Sequence, residues 1–159
     1  TDAVRQIIQQ SVTSASIPVL SREVVEHKVS VYRKTVKKYV LALGGIGVLA
    51  SVTLYLFRDI VIYILYGATA QNALIGFFLI GFLSILPIHM MTGYLVISLY
   101  SMKDTKSVFF SGFVSSVLGV VTAYVALPQG VISLVYGVVV TFYSSFLIVF
   151  FLYNKKRLS

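Results

Sequence analysis

The stretch Ala70–Leu99, AQNALIGFFLIGFLSILPIHMMTGYLVISL, contains no Asp, Glu, Lys or Arg. A helix needs about 20 mostly apolar residues to cross the hydrocarbon core of a bilayer. This stretch exceeds that length, so it reads as a membrane span carrying one proline, Pro87, and one histidine, His89. Its neighbours read the same way. Tyr39–Phe57 is free of formal charge, and so is Ser107–Asn154, which is too long for one crossing. The longer stretch divides at Pro128-Gln129-Gly130, where proline ends one helix and glycine permits the turn into the next. The result is Ser107–Leu127 and Val131–Tyr153, and four clear spans in all.

Composition agrees. Hydrophobic residues make up 58% of the 159 and charged residues 11%, against about 25% charged in a soluble domain that must cover its surface. A cleavable signal peptide has a single short apolar core, whereas these windows are long and repeated. There are no cysteines, which excludes disulfides and thiolate metal sites. The first residue is Thr1 rather than methionine, and the chain is expected to be part of something larger.

The net charge of +8 is not spread evenly. All of the 13 Lys and Arg except Arg5 and Arg58 fall in three clusters: Arg22, Lys28, Arg33, Lys34, Lys37 and Lys38; Lys103 and Lys106; and Lys155, Lys156 and Arg157. These alternate with basic-poor loops around Arg58-Asp59 and Pro128-Gln129. By the positive-inside rule the three clusters are expected in the cytoplasm and the two loops outside. A nucleic-acid surface would need those cations on one folded face, so no nucleic-acid partner is expected.

Two segments precede the first span. Residues 1–20 form two faces at helical spacing: Arg5, Gln6, Gln9, Gln10, Thr13 and Ser16 on one side, Val4, Ile7, Ile8, Val12, Ala15 and Val19 on the other. Polar side chains at membrane depth belong against protein or a watered cavity, which makes the polar stripe a candidate cavity lining. The same pattern also fits an amphipathic helix lying flat on the surface. Residues 21–38 then carry Val25, Val29, Tyr32, Val36 and, just beyond, Tyr39 on one helical face, with basic residues opposite. That pattern predicts a separate amphipathic helix along the cytoplasmic headgroups. Residues 39–159 form the four-span bundle. The expected fold is therefore all-α: a polytopic membrane helix bundle with four spans and an N-terminal polar-faced membrane helix.

The order of features resembles a family. ASIPVLS (15–21) ends the polar-faced helix, RDIVIYILYG (58–67) closes a span, SMKDTK (101–106) forms a short basic loop, and YVALPQGVISLVYGVVV (124–140) leads into the last helix. Together they are similar to the C-terminal part of polysaccharide flippases, including O-antigen-type flippases, of the multidrug/oligosaccharidyl-lipid/polysaccharide exporter superfamily. Ser133 stands where that family often has glycine. The resemblance implies the last third of a transporter that exports a lipid-linked oligosaccharide across the bacterial inner membrane by alternating access. It also implies a cationic central cavity and the remaining helices of the same transporter as partners, along with membrane lipids.

Individual residues sharpen those expectations. Gln and Ser supply donors and acceptors suited to sugar hydroxyls without committing charge, and the guanidinium fork of Arg5 suits a diphosphate. Pro87 is a candidate hinge and His89 a candidate proton carrier beside it. Gly44, Gly45 and Gly47, with the series Ser111, Ser115 and Gly119, place small residues where helices approach closely. The five acids, Asp2, Glu23, Glu26, Asp59 and Asp104, form no spaced pair with a histidine, and no glycine-rich phosphate loop is present. No enzymatic activity, metal or cofactor is expected. The alternative from a different class is a small structural or assembly subunit that transports nothing.

Overall fold

The structure is a computed structural model that describes residues 18, 22, 29–66 and 73–157. Among these residues the fold is all-α. Helix α1 spans Val29–Leu56, α2 Arg58–Tyr66, α3 Ala73–Ser101, α4 Thr105–Val125 and α5 Ile132–Arg157, with a 3-10 turn at Leu127–Gln129 between the last two. Four of them, α1, α3, α4 and α5, are long and apolar enough to cross a membrane. The protein is a polytopic membrane helix bundle.

The helices alternate in direction. Contacts between Tyr32 and Ser98 and between Ser51 and Leu83 make α1 and α3 antiparallel. Close approach of Gly81 to Val135, with His89 against Phe142, makes α3 and α5 parallel. Lys34, Lys37 and Lys38, Lys103 and Lys106, and Lys155 thereby share one end of the bundle, and α2 and the Leu127–Gln129 turn share the other. The most extensive helix contacts run along α1–α3, α3–α5 and α4–α5.

The first helix departs from the sequence pattern. Residues 29–38 form the first turns of α1, which runs unbroken through Lys38 into the span; the rest of the expected 21–38 helix, Arg22 apart, lies outside the described residues. The described part of the apolar face packs on another helix. Tyr32 and Val36 are buried, Tyr39 stacks on Tyr94 with ring centroids 5.2 Å apart, and Val40 and Leu43 prolong the stripe along α3. Lys34, Lys37 and Lys38 stay exposed on the opposite face. A face that finds protein has no need of the lipid surface.

The core gathers at the basic end. Tyr32, Val36, Val40 and Leu43 of α1, Tyr94, Leu95 and Leu99 of α3, and Val149 and Tyr153 of α5 form one buried cluster. The Tyr32 hydroxyl donates to the Ser98 carbonyl at 2.8 Å and lies 3.0 Å from the Ser101 hydroxyl. The phenol thus closes the polar edge of an otherwise apolar cluster.

A tight turn joins α3 to α4 beside this cluster. The Asp104 amide donates to the Leu99 carbonyl at 2.9 Å and the Lys103 amide to the Tyr100 carbonyl at 2.8 Å, the pair of bonds that defines a Schellman cap. Lys103 takes the left-handed position, φ 58°, that usually falls to glycine. Asp104 then caps α4, its carboxylate accepting from the Ser107 amide at 3.2 Å. These caps carry α3 on to Ser101 and start α4 at Thr105, two residues from the bounds the charge pattern suggests. At the other end Gly130, φ 69°, completes the expected Pro128-Gln129-Gly130 turn.

The cap yields a test of stability. Lys103→Gly relieves the left-handed lysine and is expected to stabilise the bundle by about 0.5–1 kcal/mol. Asp104→Ala removes the α4 cap and should cost about 1 kcal/mol or more. Thermal unfolding in detergent should therefore shift in opposite directions for the two variants.

Candidate functional site

A proline inside a membrane helix deprives the carbonyl four residues earlier of its donor. For Pro87 that carbonyl belongs to Leu83. Hydrocarbon offers no water, and an unsatisfied backbone group there costs several kcal/mol. The structure supplies the donor from another helix: the Ser51 hydroxyl of α1 donates to the Leu83 carbonyl at 2.7 Å. The next carbonyl, Ser84, faces the Tyr143 hydroxyl of α5 at 3.5 Å, the outer limit of a hydrogen bond. The break is held firmly by α1 and loosely by α5.

Glycine makes the α1 contact possible. A Cβ at Gly47 would fall 2.5 Å from the Pro87 Cα, and one at Gly44 would fall 2.8 Å from the Met91 sulfur. Gly44, Gly47 and Ser51 thus form a small ridge one side chain deep, against which Met91, Pro87 and Leu83 lie in reverse order. Gly45, on the other side of the helix, has nothing within 4 Å. Of the three glycines singled out by sequence, two are contact residues and one faces outward.

Pro87 and His89 lie toward different helices. Two residues apart on a helix point in widely different directions, and here Pro87 meets α1 whereas His89 meets Phe142 of α5 in a T-shaped ring contact, centroids 4.9 Å apart. The two candidates look to different neighbours. Arg5, Gln6, Gln9, Gln10, Thr13 and Ser16 lie outside the described residues.

The second small-residue series packs as expected. Ser111, Ser115 and Gly119 are buried against α5, where Gly119 and Gly137 lie so close that a Cβ on either would meet the other's carbonyl at 2.7–2.8 Å. The hydroxyls do not line a polar cavity. Ser115 donates to the Ser111 carbonyl, Ser111 to Val108 and Thr141 to Gly137, each within its own helix. Such back-bonding satisfies a hydroxyl at membrane depth without a partner helix.

An apolar groove lies beyond the proline break. Phe78, Gly81, Phe82 and Ile85 of α3 face Leu134, Val135 and Val138 of α5 across a space of about 240 Å³. No protein-family model, curated protein or solved structure matches this chain.

Sequence reasoning named Pro87 and Gly47 separately and did not pair them. It missed Ser51 and Tyr143 altogether. Helical spacing from Gly47 to Ser51 puts them on one face, a signal that gains meaning once α1 and α3 are known to be antiparallel. The seam predicts a sharp contrast: Gly47→Ala should lower stability by about 1–3 kcal/mol through overpacking, and Gly45→Ala should leave it unchanged or slightly raised. The yield and melting temperature of the two purified variants check this.

Proposed function

We propose that this chain is part of a flippase that moves a lipid-linked oligosaccharide or polysaccharide precursor across the bacterial cytoplasmic membrane by alternating access, with its basic end in the cytoplasm. The observation that carries the reading is the division of the bundle at Pro87. On the basic side α1, α3 and α5 share a dense core; on the other, α3 and α5 touch at Gly81 and Val135 and leave an apolar groove beside that contact. Alternating access rocks or gates one helix bundle against another around a fixed site, and a proline break is where a helix can take up such a change.

In this reading Arg5, Gln6, Gln9, Gln10, Thr13 and Ser16 line the substrate path, Arg5 toward the diphosphate and the amides toward the sugar. The remaining helices of the transporter cover part of the apolar surface that α1 and α4 leave open, at Leu49 and Val52 and at Phe113 and Val120. The alternation of basic clusters supports the orientation.

Two experiments test it. With no native cysteine to interfere, cysteines at Lys106 and Lys156 should be shielded from an impermeant thiol reagent outside intact cells, and one at Gln129 should be labelled. Labelling at Lys156 from outside would reverse the orientation. For the cavity, Gln9→Leu combined with Gln10→Leu should leave membrane abundance unchanged and lower flipping, each lost hydrogen bond being worth about 0.5–1.5 kcal/mol. Ile8→Ser should lower abundance instead. Full flipping by the double leucine variant would withdraw the cavity role of this stripe.

A further inference from the structure

We propose that the basic end of the bundle binds the headgroups of anionic phospholipids, whose acyl chains follow the outer faces of the helices into the membrane. The inference rests on the four spans and does not depend on what the chain carries.

Three helices repeat one arrangement at that end. Lys106 of α4 is exposed, and Phe109 and Phe110, at i+3 and i+4 on the same face, are 76% and 55% exposed. Lys38 of α1 is followed at i+3 by Leu41, 59% exposed, and Lys155 of α5 is preceded at i−4 by Phe151, 66% exposed. In each case the apolar residue lies on the membrane side of the lysine, about 5 Å deeper. A cation set above an open apolar surface matches an amphiphile with a negative head. A soluble anion has no use for the rings, and a neutral lipid has little for the lysines.

The charge at this end is not balanced within the described protein. Lys34, Lys37, Lys38, Lys103, Lys106 and Lys155 are all exposed, and among the described residues none of them forms an ion pair. Asp104, the one described acid at this end, is buried, and its carboxylate caps α4 through the Ser107 amide. The opposite end differs. Its one described cation, Arg58, lies 3.4 Å from the Asp59 carboxylate and 5.4 Å from the centre of the Tyr55 ring. Each lysine at headgroup level strengthens the hold on anionic lipid by about fivefold, and its long stem can lie along the apolar surface while the ammonium reaches a phosphate.

The test offers the full chain, in neutral detergent micelles, phosphatidylglycerol, phosphatidylcholine or inorganic phosphate. Lipid retained through gel filtration is counted, and stability is followed by the melting midpoint. Phosphatidylglycerol should be retained over phosphatidylcholine and should raise the midpoint, and phosphate should leave the midpoint unchanged. Lys106→Gln with Lys155→Gln should lower phosphatidylglycerol retention by about fivefold for each lysine removed, and the arginine pair at the same positions should keep it. Phe109→Ser with Phe151→Ser should lower it with every lysine in place, and Arg58→Gln should not. Equal retention of the two lipids overturns the proposal, as does a midpoint raised equally by phosphate, unaltered retention in the glutamine pair, or a comparable loss in Arg58→Gln. If the variants fail to fold, the unsubstituted chain decides: retention should fall as ionic strength rises, and retention indifferent to salt overturns the proposal.

Discussion

Hydrocarbon leaves a peptide carbonyl no solvent to fall back on, and the bond from Ser51 to Leu83 is where this bundle answers that constraint across helices. Everything along the α1–α3 seam follows from it. For a serine to reach a backbone carbonyl of the facing helix, the two backbones must approach closely, and Gly47 against Pro87 and Gly44 against Met91 are the positions at which they do. Proline creates the demand, serine meets it and glycine provides the reach.

Away from the break, the protein relies on a different means of joining helices. Lipid tails are as apolar as leucine, so burying apolar side chains does little to draw spans together. The α4–α5 seam is accordingly built from small residues, with Gly119 and Gly137 in mutual contact with each other's carbonyls and hydroxyls turned back on their own helices. At the basic end larger side chains take over: three tyrosines, Tyr32, Tyr94 and Tyr153, belong to the buried cluster, and the Tyr32 phenol reaches the Ser98 carbonyl and the Ser101 hydroxyl at the end of α3.

Much of this was legible in the residues and some was not, for reasons that are physical. The four spans announce themselves because a run of uncharged apolar residues has few other stable places to be. The turn at Pro128-Gln129-Gly130 is a local event, fixed by the backbone limits of two residue types, and it forms where the sequence puts it. The stripe through Tyr32, Val36 and Tyr39 is visible as a period, yet a period does not name its partner: lipid headgroups and a neighbouring helix ask for the same apolar face. Ser51 was invisible as a functional residue because its importance comes from Leu83, distant in sequence and contributing only a carbonyl. Lys103 in a left-handed conformation was equally unreadable, since the Schellman bonds and not the lysine decide that geometry.

The arrangement of the helices has a mechanical consequence. Along its backbone α1 approaches α2 and α3 but neither α4 nor α5, and α4 is held chiefly by α5. Away from the cluster at the basic end, the backbones of the described helices are therefore coupled mainly in series, α1 to α3 to α5 to α4. In such a chain the compliance of the whole is dominated by its softest member. A force applied at either outer helix is delivered to α3, and within α3 to the one peptide link at Pro87 that lacks its own hydrogen bond.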